Sequence, residues 1–473
     1  MPNNYDTICA LATTTGGALS IIRISGCDSL EIAQRICSKK IDSAPANTIH
    51  HCKIVSNGEA IDDVMVSIFR APHSYTGENS VEITCHGSSY IVKEILRLLV
   101  DNGCRMAQPG EYTQRAFLNG KLDLSQAEAV ADLIASTNKA THQMAMAQLK
   151  GNVSTKLSEL REQLLHLTSM LELELDFSDH EELEFADRDE LLQLTQQINQ
   201  HIQHLADTFE QGKAMKEGVP VAIVGQTNVG KSTLLNTLLN DDRAIVSNIH
   251  GTTRDTIEEC IDINGVTFRF IDTAGIRTTT DTIEQIGIDR TFQAIDKSGI
   301  IIWLLDQQPL PEEIEQIKAL AKNKHVLLVV NKIDLHTHQD IALLLLGLED
   351  IPIVQISAKQ RINIEQLEQA IYQAANLPDL TANDVIISNA RHYEALCRAH
   401  ESVENVLQGM NDGLSGDLLS EDLRQTLSIL AEITGGQITT DEVLGNIFSQ
   451  FRCPSHRPRA GLLPHLGDSC RRC

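Results

Sequence analysis

Val221-Ala222-Ile223-Val224-Gly225-Gln226-Thr227-Asn228-Val229-Gly230-Lys231-Ser232-Thr233 runs a short apolar stretch into the pattern G-x-x-x-x-G-K-[ST]. Read as strand, loop and helix start, it decides the fold around it. Glycines relax such a loop so that its backbone N–H groups converge on phosphate oxygens at a helix N-terminus, where the dipole also favours negative charge. Lys231 then reaches the β- and γ-phosphates, Ser232 supplies a hydroxyl to Mg²⁺, and the helix runs from Thr233 to Leu239. Downstream, apolar runs at Phe268 to Ile271, Ile300 to Leu305, Val326 to Val330 and Ile353 to Ile356 alternate with helical pattern. Strand and helix in alternation predict a doubly wound parallel sheet over residues 218–378.

The motifs at the strand ends agree with a guanine nucleotide. Asp272-Thr273-Ala274-Gly275 places a carboxylate where it can hold Mg²⁺ through water and a glycine N–H where it can sense a γ-phosphate. Asn331-Lys332-Ile333-Asp334 places a carboxylate where it can accept both N–H donors of a guanine edge. A site built for such bonds discriminates by about 10⁴–10⁵. Ser357-Ala358-Lys359 follows the next strand and backs the base with its main chain, and Gly251-Thr252-Thr253-Arg254-Asp255 occupies the place of a switch that closes on Mg²⁺. This order predicts a domain that binds and hydrolyses GTP. Its hydrolytic machinery departs from the Ras pattern: Ile276 stands where a glutamine would orient water. Asp281, Glu284 and Asp289 are the polar candidates, and spacing alone does not choose among them. No arginine finger is evident, and an oxygen of Asn228 beside the nucleotide can help to coordinate K⁺ near the β,γ-bridge.

Outward from this domain the text changes. Residues 1–120 mix β-rich runs (Leu19 to Ile24, Val64 to Phe69, Val81 to Cys85) with a helix at Ile91 to Val100, an α+β reading with turns at Gly26, Asn57-Gly58 and Pro109-Gly110. Over 121–217 Leu157, Leu160, Leu164, Leu167, Leu171 and Leu175 form one apolar stripe. Helical pattern returns over 379–451, with Leu396, Val403, Val406, Leu407, Leu423, Leu427 and Leu430. Each helical stretch lacks a partner, so we expect one helical domain interrupted by the α/β domain. The acidic run Asp176 to Glu184 reads as a solvated loop between helices.

Composition sets the outer limits. The 473 residues suggest about three domains, and 42% hydrophobic content is that of a chain with a sizeable core. A net charge of -25 argues against a protein that grips RNA on a broad basic surface of its own. The apolar runs are too short to span a membrane, no Lys or Arg precedes Arg23 to mark a secretory leader, and 11 scattered Cys read as reduced thiols. A cytoplasmic protein is expected.

Taken together, the domain order, the loop with Asn228, the Gly251 to Asp255 switch and Ile286-Gly287-Ile288 after Glu284 resemble the tRNA modification GTPase MnmE (TrmE) family. So do Arg23-Ile24-Ser25-Gly26, Ser74-Tyr75-Thr76-Gly77-Glu78 and Arg115-Ala116-Phe117-Leu118-Asn119-Gly120-Lys121-Leu122-Asp123-Leu124. The resemblance covers about residues 5–451. It implies that Glu284 orients the attacking water and that K⁺ is held by Asn228, Ser247, Ile249 and Thr252. It gives Mg²⁺ to Ser232 and Thr253, and it extends the nucleotide contacts over Ser247, Asn248, Ile249, His250, Gly251, Thr252 and Thr253.

The family further implies a homodimer whose G domains meet when K⁺ and GTP are bound. Its N-terminal domain resembles folate-binding one-carbon enzymes, which implies a tetrahydrofolate derivative (5-formyl or 5,10-methylene) on Arg23, Glu82 and Lys121. With a FAD-containing partner, MnmG, in a heterotetramer that supplies most of the tRNA grip, such proteins form aminomethyl or carboxymethylaminomethyl groups at C5 of the wobble uridine.

The end of the chain departs from the family. The family's short Cys-Ile-Gly-Lys tail follows its last Phe, whereas here Phe451 is followed by Arg452-Cys453-Pro454-Ser455-His456 and a basic stretch to Cys473. The cysteine is displaced by one residue to Cys453 and the Gly-Lys end is absent, so the reactive role often given to that cysteine is not carried over. Cys453-x-x-His456 and Cys470-x-x-Cys473 can be written as a zinc site, but no flanking β or helical pattern supports one, and a shifted reading frame or an artificially appended tail accounts better for residues 452–473. Two other readings compete. One is a ribosome-assembly GTPase switch, which shares the apolar residue after Gly275 but usually carries a basic RNA-binding module. The other is a GTP-controlled scaffold whose N-terminal domain binds protein and no folate.

Overall fold

A computed structural model describes residues 6–14, 16–176, 188–239, 258–271, 295–322, 324–335, 348, 351–378 and 384–436. The chain divides into two compact units, with the boundary between Ala131 and Asp132.

The first unit is built on six strands: β1 (Ile8–Leu11), β2 (Leu19–Ser25), β3 (Thr48–Ser56), β4 (Glu59–Phe69), β5 (Ser80–His86) and β6 (Arg105–Met106). They lie in the order β3-β4-β5-β2-β1-β6, antiparallel except for the β1–β6 pair. Asn57 and Gly58, both at positive φ, make the tight turn between β3 and β4. Period-two alternation sends Ile22, Ile24, Val64, Val66, Ile68, Val81 and Ile83 to one face. There Ile32, Ile36, Ile95 and Leu99 of helices Ser29–Ile36 and Ser89–Asp101 complete the core. The opposite face carries Arg23 and Glu82, which are Cα partners in the β2–β5 register.

The second unit contains a six-stranded sheet in the order β12-β11-β10-β7-β9-β8, made of β7 (Val219–Gly225), β8 (Glu259–Ile263), β9 (Val266–Phe270), β10 (Ile300–Leu305), β11 (His325–Val330) and β12 (Ile353–Gln355). From β7 the chain winds outward in both directions, and the carboxyl ends of β7, β10 and β11 come together, the usual place for a ligand in such a sheet. The expectation of an all-parallel sheet is corrected at one edge, where β8 runs antiparallel to β9. Asn264 and Gly265, at φ 54° and 82°, close that hairpin, and this two-residue turn leaves no room for a crossover. β10 is buried along its whole length: Ile300, Ile302 and Leu304 face one core, and Ile301, Trp303 and Leu305 the other.

Helices Asn152–Asp176, Arg188–Asp207, Ala390–Asn411 and Gly416–Thr434 share a separate core. Leu157, Leu160, Leu164, Leu167 and Leu171 pack there with Ile198, Ile202, Leu396, Val403, Val406, Leu423 and Leu430. Residues before and after the sheet in sequence therefore fill one apolar interior. Beyond Asp176 the acidic run lies outside the described residues. Among the described residues, no helix is long and apolar enough to cross a membrane.

Candidate functional site

The loop after β7 has the backbone that its glycines permit. Gly225 sits at φ +147°, and a Cβ there would lie 2.3 Å from the carbonyl oxygen of Leu304; Gly230 sits at φ +102°, and its Cβ would lie 2.4 Å from the Asn331 side-chain nitrogen. Both positions exclude a side chain on conformation and on space. Lys231 Nζ donates to the carbonyl oxygens of Gly225 and Gln226 at 2.7 and 2.8 Å, and burial pulls its pKa down. The Lys231 ammonium is thus held over the loop by main-chain oxygens. Val229 is buried, Thr233 is exposed, and the half-buried Ser232 hydroxyl has no hydrogen bond among the described residues. An unengaged hydroxyl at the first turn of helix Lys231–Leu239 suits a Mg²⁺ ligand. Asn228 adopts a left-handed backbone at φ +64°, and its exposed carboxamide has no hydrogen bond among the described residues, which suits an oxygen ligand for K⁺.

On the base side, Asn331 is 3% exposed and joins three motifs. Its Nδ2 donates to the carbonyl oxygen of Val229 at 2.8 Å, and its Oδ1 accepts from the Ala358 N–H at 3.0 Å. Lys332 Nζ donates to the carbonyl oxygen of Asn228 at 2.8 Å and pairs with Asp306 at 2.5 Å. Asp334 stands exposed in the short 3₁₀ turn Ile333–Leu335, open to a guanine edge. Ser357 is fully buried, and the Thr237 hydroxyl donates to the carbonyl oxygen of Ala358 at 2.9 Å, while Lys359 is exposed. Phosphate loop, Asn331 loop and Ser357 loop thus form one hydrogen-bonded frame. Ser247 to Thr253, Asp272 to Gly275, Glu284 and Cys453 lie outside the described residues.

The first unit brings two of its three expected residues together. Arg23 Nη2 and Nε contact Glu82 Oε1 at 2.7 and 2.8 Å, with side chains 30% and 23% exposed. Both contacts fall on Oε1, and Glu82 Oε2 has no hydrogen bond among the described residues. The Arg23 guanidinium lies 5.5 Å from the ring centre of Tyr75 and 5.6 Å from that of Tyr112, within cation–π range. The Tyr112 hydroxyl donates to the carbonyl oxygen of Arg23 at 2.7 Å, and burial raises its pKa well above the ordinary tyrosine value. Sequence reasoning singled out neither tyrosine as a site residue, because only the fold brings the loop of Tyr75 and the first turn of helix Glu111–Leu118, with Tyr112, to Arg23. Lys121 makes no ion pair with Glu82 among the described residues, and its Nζ donates to the carbonyl oxygen of Pro72 at 2.9 Å.

Beneath this site the three N-terminal motifs meet. The Ser25 hydroxyl lies 2.7 Å from both Thr76 Oγ1 and Glu78 Oε2, Asn119 Nδ2 donates to the Thr76 carbonyl oxygen at 2.7 Å, and the buried Arg115 donates to Glu78 at 3.2 Å. Much of that motif chemistry is therefore scaffolding.

Comparison with known proteins finds relatives along nearly the whole chain. A family model for the MnmE helical domain matches residues 124–453, and one for the N-terminus of the GTP-binding protein TrmE matches residues 7–121. Among similar curated proteins, the tRNA modification GTPase MnmE of Bacteroides fragilis is 52% identical, over 95% of this chain and 99% of its own length. That of Phocaeicola vulgatus is 51% identical over 95% and 98%. That of Flavobacterium johnsoniae is 47% identical over 95% and 99%.

Proposed function

The chain belongs to the MnmE family of tRNA modification GTPases, and from that premise we propose that it hydrolyses GTP in the service of tRNA wobble-uridine modification, with K⁺ as activator. The observation that carries the reading is the Asn331 clamp, which holds the phosphate loop at Val229 and the base-backing loop at Ala358 in one rigid frame.

In this reading Lys231 exchanges its loop carbonyls for the β- and γ-phosphates. The phosphate charge compensates the ammonium that burial disfavours. Asp334 selects guanine, and the main chain at Ala358 backs the base. Ser232 with Thr253 holds Mg²⁺, and Asn228 with Ser247, Ile249 and Thr252 holds K⁺. Bound there, the two cations would supply positive charge to offset the negative charge that develops on the phosphate oxygens. Glu284 orients the attacking water.

Arg23, Glu82 and Lys121 hold a tetrahydrofolate derivative, supported by the orphan Oε2 of Glu82 and by the aromatic walls of Tyr75 and Tyr112. The net charge of -25 fits a division of labour in which a FAD-containing MnmG-type partner supplies most of the RNA contact in the cytoplasm. Two copies of this chain pair within that complex.

GTP turnover in KCl compared with NaCl tests the activator: equal rates remove K⁺ from the reading. Reconstitution with the flavoprotein partner and unmodified tRNA tests the coupling, since GTP hydrolysis without uridine modification would separate the two activities.

A further inference from the structure

We propose that Asp306 is a positioning residue for the cation ligand Asn228, acting through Lys332. The inference rests on the K⁺ reading above and names a residue that no sequence motif contains.

Asn228 and Lys332 both adopt left-handed backbones, at φ +64° and +62°. Asparagine tolerates that region, but lysine has no local hydrogen bond to favour it. Such conformations persist where the surroundings over-determine them. Here the two strained residues are tied together, since Lys332 Nζ donates to the carbonyl oxygen of Asn228 at 2.8 Å. One ammonium donor is thereby committed to the backbone of the loop tip. Asp306, immediately after β10, holds the same ammonium at 2.5 Å, with only 18% of its side chain exposed. The carboxylate fixes where Lys332 can reach, and Lys332 fixes the Asn228 carbonyl. The Asn228 carboxamide then starts from one backbone orientation.

A second contact from the same segment braces the loop. The Gln226 side-chain nitrogen lies 3.1 and 3.0 Å from the two carboxylate oxygens of Glu313, and Gln307 donates to the Gln226 side-chain oxygen. Glu313 is itself fixed, accepting from the Leu310 N–H at 2.8 Å at the start of helix Pro311–Ala321. Residues 306–313 therefore hold the phosphate loop at two points, at Gln226 directly and at Asn228 through Lys332. A one-oxygen ligand on a loop tip selects a cation by placement, and this segment supplies the placement.

The test uses the full chain and two readouts: the KCl concentration giving half-maximal GTP turnover, and the KCl dependence of affinity for a fluorescent non-hydrolysable GTP analogue, with NaCl as reference. Asp306→Asn keeps the shape and removes the charge. Both KCl midpoints should rise about fivefold to tenfold, the coupling expected within one ion-pair network. Affinity in NaCl should change less, and Asp306→Glu should recover most of the shift. Unchanged midpoints in Asp306→Asn overturn the proposal. So does an equal loss of analogue affinity in NaCl and KCl, which marks a general loosening of the loop, and so does failure of Asp306→Glu to recover. If the unmodified chain shows no KCl dependence in either readout, the K⁺ reading itself fails, and this inference falls with it.

Discussion

The side-chain amide of Asn331 donates to the carbonyl oxygen of Val229 at 2.8 Å across 102 residues of sequence. Since Asn331 Oδ1 also accepts from the Ala358 N–H, truncation orphans two buried backbone groups at once. Each costs about 1–3 kcal/mol. Asn331→Ala is expected to weaken fluorescent GDP binding by at least about tenfold, with the far-ultraviolet spectrum of the chain retained. Affinity unchanged within twofold would show that the frame holds without this clamp.

Glu82 and Arg23 make the corresponding test in the first unit. Glu82→Ala removes the carboxylate that Arg23 holds beside Tyr75 and Tyr112. Affinity for 5-formyltetrahydrofolate, measured by calorimetry, should fall about tenfold or more, the worth of a charged hydrogen bond. If the unmodified chain does not bind the folate, the scaffold reading of this unit is favoured. If it binds and Glu82→Ala binds equally, the ligand lies elsewhere.

Arg115 anchors the charge cluster beneath that site, contacting Asp6, Glu78 and Glu111 with its side chain 7% exposed. Arg115→Met leaves the Glu78 carboxylate, 14% exposed, without its ion pair, while Arg105 still holds Asp6 and Glu111, and should destabilise the first unit by about 3–5 kcal/mol in urea denaturation. The same cluster sets a pH dependence. Burial pushes the Glu111 carboxyl up, but hydrogen bonds from Arg105, the Gln108 N–H and Arg115 outweigh it and hold the pKa below the ordinary value. A carboxyl held low in the folded state contributes its stability above its unfolded value, about pH 4.3, and loses it as pH falls below that. A midpoint of thermal unfolding that does not decline below about pH 4 would remove this contribution.

The division between sequence and structure follows the range of the interactions. The nucleotide half was legible because its chemistry is contiguous: glycines, lysine and hydroxyl stand within one loop, and apolar runs of strand length flank it. The leucine stripe from Leu157 was legible for the same reason, since helical period is a local property. The antiparallel β8 edge was less so, although Asn264-Gly265 carried its signal.

The amino-acid sequence by itself determined that this chain builds a phosphate loop on a wound sheet beside long helices, because backbone chirality and side-chain period act over a few residues. Only the tertiary structure decided that Asn331 bridges Val229 and Ala358, that Asp306 holds Lys332 against Asn228, and that Arg23 comes within cation–π range of both Tyr75 and Tyr112 while it grips Glu82. Each of these depends on strand order and register. Those are set by the sum of many weak apolar contacts in the buried cores, and no single stretch of sequence contains that sum.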